Sequence, residues 1–402
     1  MHRVVITGVG CVSALGLTAP AHIQATREGK SGLATVTLVD PDKLNAKIVA
    51  EAKGFDMANY LDRKTIGMVD RVAGLALVAG AEAIADAGLR FDGDLAEQTA
   101  VILGTGVGGM NTVDENFYRL YHEGAQRLHP FVIPKLMANA AASQITMAHG
   151  IKGPAYSISS ACSSSNHAIG EAFSKVRSGQ MRAAVTGGAE SCITYGTLKG
   201  WEALRVMAPD VCRPFSKDRK GMVLGEGSGI VVLERLDDAQ ARGAKIYGEI
   251  IGFGMSSDAG DLVQPSAEGA ARAISGALRD AGLNPDDIDY VNAHGTGTPA
   301  NDPTETAALK LALGERAHQI GISSTKAMHG HALGAAGSLE LIATLGALEG
   351  ILPPTIAFTE ADPLCDLDYI PNVARELPVR AALSNSFAFG GLNAVLALRR
   401  FG

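Results

Sequence analysis

The chain has 402 residues and a net charge of −7; 47% of its residues are hydrophobic, 19% are charged and 48 are glycine. This length exceeds the size at which one hydrophobic core stops growing, so we expect two lobes or two closely fused halves. The 35 basic residues are scattered singly, so the sequence predicts no nucleic-acid partner.

The predicted elements alternate along the chain, because short β-rich runs end in glycine turns and lead into segments with helical apolar spacing. The predicted strands lie in RVVITGVG, TAVILGTGVGG, AAVTGGAES, GSGIVVLERL, YGEIIGFGM, YVNAHGTGT and QIGISSTK. The predicted helices lie near residues 70–88, 134–149, 162–178, 267–281, 303–313 and 333–350. This alternation predicts a layered α/β fold.

The order of the elements indicates an approximate duplication. A longer half, residues 1–249, carries Cys162, and a shorter half, residues 250–402, carries His294 and His331. No Pro-rich or Ser-rich linker separates them. We therefore expect one body, with the reactive groups meeting at the seam between the halves.

Several features predict a cytoplasmic protein. The five cysteines are odd in number and show no CxxC spacing, which is typical of reduced thiols and not of a zinc site. The first residues, MHRVVITGVG, contain no apolar run followed by a cleavage site. The longest apolar stretch, 72–89, is interrupted by Glu82 and Asp86, so it predicts a buried helix and no membrane insertion.

Cys162 is the strongest candidate nucleophile, because it lies in SSACSSSNHAIGEAFSKV at the predicted start of an amphipathic helix. The positive end of the helix dipole and unpaired N–H groups there stabilise a thiolate. We expect the small serines around it to leave room for a substrate. An inert packing thiol is the alternative, which we favour for the other four cysteines.

Two histidines lie in glycine-rich segments, His294 in VNAHGTGT and His331 in STKAMHGHALGAAG. Glycine beside a strand end lets a ligand approach closely; a buried core histidine is the alternative. A zinc site of His329, His331 and a cysteine lacks a spaced partner pair. The glycine turns lack the pattern of a dinucleotide loop. The segment CRPFSKDRKG, residues 212–221, is a candidate basic patch for an acidic carrier protein, or else a solvated loop.

Four ordered motifs, SSACSSSNHAIG, VNAHGTGTPAND, SSTKAMHGHALGAAGSLE and SNSFAFGGLNAVLAL, resemble the β-ketoacyl-acyl carrier protein synthases of the elongating synthase II type. The segments LKGWEALRVMAPDVCRPFSKDRKGMVLGEGSG and NPDDIDYVNAHGTGTPANDPTETAALK resemble the nodulation protein E branch, although a housekeeping or polyene synthase carries similar segments. The resemblance implies a thiolase-like fold with two related α/β halves in a five-layered αβαβα arrangement. It also implies a homodimer, with a heterodimer as the alternative, no cofactor, and acyl carrier protein bearing acyl and malonyl groups as the partner.

The resemblance assigns roles to the catalytic candidates. Cys162 takes the acyl chain in a ping-pong reaction, and His294 and His331 act as neutral imidazoles that stabilise the enolate formed when malonyl carrier protein loses carbon dioxide. The backbone N–H groups of Cys162 and Phe389 bind the tetrahedral oxyanion. Lys326 organises the histidine, and Glu340 is its buried acidic partner.

The resemblance also implies substrate-binding residues. Thr296 and Thr298 receive the pantetheine arm, and Phe387 and Phe389 form the gate to the active centre. For Val107, Met110 and Trp201 it implies an acyl tunnel, and core packing is the alternative.

The chain departs from the synthase II pattern SFGFGGTN, because Ala388 replaces the middle glycine and Leu392 replaces the threonine. The added methyl group at Ala388 restricts the backbone, so we expect altered gating. Arg63 and Lys64 are followed by TIGMVD, which is poor in charge, so we expect selective carrier docking. A partner subunit similar to a chain-length factor is the rival, but such subunits usually lack the cysteine. A degradative thiolase would carry a second cysteine in SNSFAFGGLNAV.

Overall fold

The computed structural model describes residues 1–402. Fourteen strands are present: β1 Val4–Ser13, β2 Ala34–Thr35, β3 Ile48–Val49, β4 Thr99–Gly104, β5 Ala155–Ile158, β6 Ala183–Glu190, β7 Gly227–Arg235, β8 Gly248–Ser257, β9 Tyr290–Asn292, β10 Gly321–Ser323, β11 Ile351–Leu352, β12 Arg375–Glu376, β13 Ala381–Ala388 and β14 Leu392–Arg399. Fourteen α-helices accompany them: α1 Ala19–Arg27, α2 Arg63–Met68, α3 Arg71–Ala87, α4 Gly93–Glu97, α5 Met110–Tyr121, α6 Val132–Leu136, α7 Ala140–His149, α8 Ser164–Ser178, α9 Tyr195–Ala203, α10 Leu236–Ala241, α11 Ala267–Ala281, α12 Asn301–Leu313, α13 Lys326–His329 and α14 Ala336–Leu348. Short 3₁₀ turns lie at Pro41–Lys43, Met57–Asn59, Ala161–Ser163, Pro285–Asp287, Gly314–His318 and Leu333–Ala335.

The main sheet repeats one topology twice. Its ten strands follow the order β10-β9-β13-β14-β8-β1-β7-β6-β4-β5, so the strands on either side of the β8–β1 contact mirror one another. Counted from the outer edge of the sheet toward the β8–β1 contact, each half has two parallel pairings and then two antiparallel pairings. The two halves are joined by a short antiparallel pairing of Val4 with Ile250 and its neighbours. This repeat agrees with the thiolase-like class predicted from the sequence.

The three largest parts of the hydrophobic core define five layers. The central part holds α8 and α14 against strands of both halves of the sheet. A second part packs α3 and α7 on the outer face of the first half, and a third packs α11 and α12 on the outer face of the second. Along β7, Val231 and Leu233 face the central part while Ile230 and Val232 face the outer one, which is the period-two alternation of a strand buried on both faces.

The contact between α3 and β1 explains the two acidic residues in the longest apolar stretch. Glu82 accepts the N–H of Cys11 at 2.8 Å and Asp86 accepts the N–H of Val9 at 3.0 Å, just after β1 shifts register between Ile6 and Gly8. The backbones approach so closely that a Cβ atom at Gly10 would overlap the carbonyl oxygen of Ala79. The carboxylates therefore satisfy strand N–H groups inside the fold. None of the helices is long and apolar enough to cross a membrane.

The seven predicted strand runs each contain an observed strand, and the helix predictions differ from the structure mainly at their ends. The helix predicted near 267–281 matches α11, which begins at a Ser266 cap and ends at Gly282 in the left-handed region. The predicted helix 134–149 is two helices, because Met137 is extended between α6 and α7. The hairpin of β13 and β14 was not among the predicted strands. The boundary predicted between residues 249 and 250 falls inside β8, and this division of the chain stays a prediction.

Candidate active site

A cavity of about 300 Å³ opens between the two halves of the chain. The first half contributes Cys162, Trp201 and Met222 to its wall, and the second contributes both predicted histidines and the β13–β14 hairpin. Eight of the predicted site residues line it: Cys162, Trp201, His294, Thr296, Thr298, His331, Phe387 and Phe389. The seam thus brings together residues that are far apart in the sequence.

Cys162 lies in the 3₁₀ turn Ala161–Ser163, and α8 begins only at Ser164. The prediction that the helix starts at Cys162 is therefore wrong by two residues. Ala161 adopts a φ of 51°, and Ser164 Oγ closes the turn by accepting the N–H of Ser160 at 2.9 Å and donating to the carbonyl of Ala161 at 2.6 Å. The turn is a fixed support for the thiol.

The serines that follow Cys162 do not leave open space, contrary to the prediction. Ser163, Ser164 and Ser165 are fully buried. Ser163 Oγ lies 2.9 Å from the carbonyl oxygens of both Ser160 and Leu392, so it links the turn to the β13–β14 hairpin. Ser165 Oγ accepts the N–H of Ser338 at 3.0 Å. These hydroxyls hold the backbone together, and the substrate space lies on the other side of the thiol.

The expected lowering of the Cys162 pKa is also wrong. Burial raises the pKa of the thiol to about 11, and this effect outweighs the opposing influence of Lys326 and of the backbone N–H groups of Phe389 and Cys162. The side chain is only 7% exposed, so the cost of desolvating a thiolate dominates. Cys162 is therefore a thiol at neutral pH, and a reaction at its sulfur would need a base to take the proton.

His294 and His331 face each other across the cavity, with ring centroids 5.4 Å apart and ring planes at 85°. Burial lowers the pKa of each ring well below its usual value, and the positive charge of Lys326 lowers both further. Both rings are therefore neutral at physiological pH, as predicted. Each can donate one N–H and accept at its other nitrogen.

Lys326 fixes the protonation of His294. Its ammonium donates to the carbonyl of His294 at 2.7 Å and lies 3.3 Å from Nδ1 of the same residue. Because an ammonium can only donate, Nδ1 must accept and the ring proton resides on Nε2. Lys326 also forms an ion pair with Glu340, and both side chains are fully buried. Burial raises the pKa of Glu340 to about 7, against the opposing effect of Lys326. Lys326 is therefore a buried residue beside His294 and not a surface lysine.

Glu305 is a site residue that the sequence analysis missed. Its carboxylate accepts the N–H groups of His294 at 2.8 Å and Gly295 at 2.7 Å, and Asn385 donates to it at 3.2 Å. It therefore fixes the backbone that carries His294. An acidic residue in the first turns of α12, soon after VNAHGTGT, is the signal that could have identified it.

The two threonines lie beside the histidine on the same loop. Thr296 Oγ1 and Thr298 Oγ1 are 3.0 Å apart, and both residues line the cavity. Asp302 accepts the N–H of Gly297 between them at 3.1 Å. Their hydroxyls are thus held together on one wall, where they can donate to or accept from a polar arm.

The β13–β14 hairpin closes another wall of the cavity. Ala388 remains in regular strand geometry, paired with Leu392, and its methyl group reaches the cavity. Phe389 stacks on Trp201 with ring centroids 5.9 Å apart at 25°. Gly390 and Gly391 supply the positive φ angles that the turn requires. The hairpin is thus a tight structure joined to α9 by one aromatic contact.

Two of the predicted acyl-tunnel residues lie elsewhere. Val107 is 43% exposed in the loop after β4, Met110 begins α5, and neither lines the cavity. Their assignment to an acyl tunnel stays a prediction.

The predicted basic patch is largely neutralised. Arg213 pairs with Asp210 at 2.9 Å, while Lys217 and Arg219 pair with Glu360 and Asp362. This segment therefore offers little free positive charge to a carrier. No group of three or more His, Cys, Asp or Glu side chains is placed to hold a metal ion.

A duplicated α/β fold with a thiol and two neutral imidazoles at its seam defines a thiolase-like acyl-transferring enzyme. Residues 1–239 match the β-ketoacyl synthase N-terminal domain, and residues 247–359 match its C-terminal domain. The chain therefore belongs to the β-ketoacyl synthase family, and it is a condensing acyltransferase.

Its similarities extend over the whole chain. It is 47% identical to nodulation protein E of Rhizobium sp. (strain N33), over 99% of each chain. It is 43% identical to 3-oxoacyl-[acyl-carrier-protein] synthase 2 of Synechocystis sp., over 99% of this chain and 98% of that one. Among solved structures, the ishigamide ketosynthase/chain length factor matches over 100% of each chain with a TM-score of 0.96 and 36% identity. AntDE:AntF, a type II PKS acyl-carrier protein in complex with its ketosynthase, matches over 100% of each chain with a TM-score of 0.89 and 29% identity.

Proposed function

We propose that the enzyme joins an acyl group held on Cys162 to malonyl-acyl carrier protein by decarboxylative Claisen condensation, lengthening the chain by two carbons. The observation that carries this proposal is the shared cavity, in which one buried thiol lies with two neutral imidazoles. A thiol can hold the acyl group, and two N–H donors can stabilise one developing enolate oxygen.

In the first half-reaction Cys162 Sγ attacks the thioester carbonyl of the acyl carrier protein. Because the pKa of the thiol is raised to about 11, a neutral imidazole in the same cavity takes the proton as the sulfur–carbon bond forms. The bond to the pantetheine sulfur breaks, and that sulfur leaves as a thiol after receiving the proton. The backbone N–H groups of Cys162 and Phe389 stabilise the oxyanion between these steps.

In the second half-reaction malonyl carrier protein loses carbon dioxide, and the electron pair of the broken carbon–carbon bond becomes an enolate. Nε2–H of His294 and a ring N–H of His331 donate to the enolate oxygen. The enolate carbon then attacks the acyl-Cys162 carbonyl, and the thiolate of Cys162 leaves. One proton taken up from solvent regenerates the Cys162 thiol and completes the cycle. The new bond uses electrons released by decarboxylation, so the condensation requires no redox cofactor.

Thr296 and Thr298 hold the pantetheine arm in this proposal, and Phe387 and Phe389 form the gate. Lys326 and Glu340 support the histidines from behind the cavity. Trp201 lines the acyl-binding part of the cavity, with Val107 and Met110 as the further tunnel residues implied by the family.

We further propose a homodimer that acts in the cytoplasm on acyl carrier protein. Relatives named after acyl carrier protein and the AntDE:AntF complex support the carrier as partner. The similarity to a ketosynthase/chain length factor keeps a heterodimer open. The similarity to nodulation protein E favours a specialised acyl chain over a housekeeping product. Five unpaired cysteines agree with a reducing compartment.

The test is intact-mass and product analysis after the protein is mixed with carrier proteins that bear different acyl chains, followed by malonyl carrier protein. We expect an acyl adduct on Cys162 and then a β-ketoacyl product two carbons longer. Cys162→Ser serves as the control and loses normal elongation. Absence of any adduct with every chain would favour the partner-subunit alternative, and normal elongation by Cys162→Ser would refute the assigned nucleophile.

A further inference from the structure

Glu190 joins two loops of the active centre through its buried carboxylate. It is the last residue of β6, and its Oε2 accepts the N–H of Gly106 at 2.6 Å and the N–H of Gly334 at 2.9 Å. Thr105 donates to Oε1 at 3.2 Å. Gly106 follows β4, and Gly334 lies three residues after His331. One side chain thus connects the loop after β4 to the turn that follows His331.

The backbone around this carboxylate has no spare volume. A Cβ atom at Gly334 would overlap the N atom of Gly106, and it would lie 2.7 Å from Glu190 Oε2. A Cβ atom at Gly188 would lie 2.8 Å from the carbonyl oxygen of Gly334. Loops packed this closely cannot shift independently, so the carboxylate sets their relative position.

The duplication of the fold relates this contact to the turn that carries Cys162. The turn Leu333–Ala335 before α14 corresponds to the turn Ala161–Ser163 before α8, so Gly334 corresponds to Cys162. The N–H of Cys162 belongs to the proposed oxyanion site. In the other half, the matching N–H of Gly334 already donates to an oxygen of the protein, Oε2 of Glu190. The N–H group at the turn before α14 is therefore bonded to a side chain of the protein itself.

His331 depends on its backbone anchors more than His294 does. The ring of His294 is held by Lys326, and its backbone is held by Glu305. His331 Nδ1 is buried with no hydrogen-bond partner. Its N–H donates to the carbonyl of Val223 at 2.7 Å, and its own carbonyl accepts from Gly225 at 3.0 Å. The turn fixed by Glu190 is the next anchor along the chain.

We infer that Glu190 is a positioning residue for the malonyl half-reaction: it holds the turn after His331 so that the His331 ring meets His294 over the enolate oxygen. Glu305 accepts the N–H groups of His294 and Gly295 directly, whereas Glu190 accepts that of Gly334, three residues after His331. Glu190 therefore acts on His331 through the turn that follows it. This inference rests on the proposed role of His331. It concerns decarboxylation first, because Glu190 bonds directly to the turn after His331. The turn that carries Cys162 is closed by its own hydrogen bonds and is joined to α14 through Ser165 and Ser338.

The test separates the two half-reactions of the full-length enzyme. Acyl transfer to Cys162 is followed by intact mass in a single turnover, and decarboxylation of malonyl carrier protein by the acylated enzyme is followed by release of carbon dioxide. Glu190→Gln keeps the shape, but its NH₂ group must face either the N–H groups of Gly106 and Gly334 or the N–H of Val107, which Glu190 Oε1 accepts at 3.4 Å. We expect decarboxylation to fall about ten-fold or more, since small displacements of catalytic groups cost up to about a hundred-fold. Acyl transfer should fall by a smaller factor than decarboxylation, because the carboxylate of Glu190 bonds to the turn after His331 and not to the turn that carries Cys162.

Asp70→Asn is the matched control. Asp70 is a buried carboxylate that also accepts backbone N–H groups, from Val72 at 3.0 Å and Thr112 at 2.7 Å, and it does not line the cavity. We expect this variant to leave the ratio of the two half-reaction rates unchanged. Equal losses in both half-reactions of Glu190→Gln would overturn the inference, because they would mean a purely structural role.

Chemical rescue gives a second measurement if the amide variant folds poorly. Glu190→Ala leaves the N–H groups of Gly106 and Gly334 without an acceptor, and added formate can supply one. We expect formate, and not chloride, to restore decarboxylation; a folded variant that formate does not rescue would contradict the inference. His331→Ala is measured alongside. Full decarboxylation by His331→Ala would instead show that the proposed role of His331 is wrong, whatever Glu190 does.

Discussion

Ala161 and Leu333 occupy equivalent places in the two halves and share a left-handed backbone conformation, with φ angles of 51° and 42°. Each begins a 3₁₀ turn that runs directly into a central helix, α8 in the first half and α14 in the second. This conformation costs a non-glycine residue about 1–2 kcal/mol, so tertiary packing must hold both turns. The duplicated turn presents the thiol in one half and follows directly after His331 in the other.

The raised pKa of Cys162 predicts a distinctive pH dependence of alkylation. Only the thiolate reacts with iodoacetamide, and burial raises the pKa of this thiol to about 11. The alkylation rate should therefore be low at neutral pH and should still be rising above pH 9, since the thiolate fraction grows as pH approaches the pKa. Peptide mass mapping across a pH series measures it, with a denatured sample as control. A plateau below pH 8 would contradict the burial argument.

The buried pair of Lys326 and Glu340 predicts that replacing Lys326 alone destabilises the protein more than replacing both residues does. Lys326→Met leaves the Glu340 carboxylate buried without a partner, which should lower the free energy of unfolding by about 3–5 kcal/mol. Lys326→Met combined with Glu340→Leu should recover most of this loss, because the uncompensated charge is gone. Urea denaturation measures both.

We expect the rate of decarboxylation to stay low in the double variant even though its free energy of unfolding recovers. The double variant still lacks the donor to His294 Nδ1, so we expect it to stay deficient in decarboxylation after stability has returned. Lys310→Met is the matched control, because Lys310 pairs with Asp366 at the surface and such pairs are worth about 0–1 kcal/mol. A double variant with wild-type activity would show that Lys326 does not set the ring proton of His294.

Local patterns predicted the elements well and identified three candidate residues that the structure brings together, because both depend on short stretches of sequence. The cap at Ser266 and the glycine at Gly282 define α11 within a single segment. Cys162, His294 and His331 lie in motifs that can be read directly, and the repeated order of strands and helices predicted that they would meet at a seam. Alternation and capping are local properties, so one sequence is enough to reveal them.

Properties that depend on burial and distant contacts could not be predicted in this way. Glu190 contacts Gly334 across 144 residues, and nothing in the sequence around either residue indicates that contact. The thiol of Cys162 was expected to be acidic from its place near a helix start, but the pKa depends on desolvation, which only the folded chain reveals. The serines after it look like an open, polar segment, yet they are buried connectors of the turn.

The contact between Trp201 and Phe389 predicts an optical signal for the gate. Trp201 is the single tryptophan of the chain, so its fluorescence reports on the ring stacked against it. If Phe389 moves when an acyl group enters, acylation of Cys162 should change the tryptophan emission at the rate at which the adduct forms. Phe389→Leu is the control and should abolish the change. An adduct that forms with no change in emission would argue against movement of the hairpin.

We predict that removing the methyl group of Ala388 lets the β13–β14 hairpin open more easily. Ala388 ends β13, is paired with Leu392, and reaches the cavity beside the aromatic gate. Ala388→Gly should cost about 0.5–1 kcal/mol of stability, because glycine in a strand is entropically unfavourable. The same freedom should let the hairpin open more easily, so acyl transfer to Cys162 should become faster, most of all for long acyl chains.

Ala382→Gly is the matched control for this variant, since Ala382 lies in the same strand but pairs with Leu398, away from the hairpin. It should lose stability without any gain in acyl transfer. Single-turnover acylation with short and long acyl carrier proteins measures both variants. Equal rates for Ala388→Gly and the unmodified enzyme with every chain would mean that the hairpin, already linked to the Cys162 turn by Ser163, does not limit entry of the acyl group.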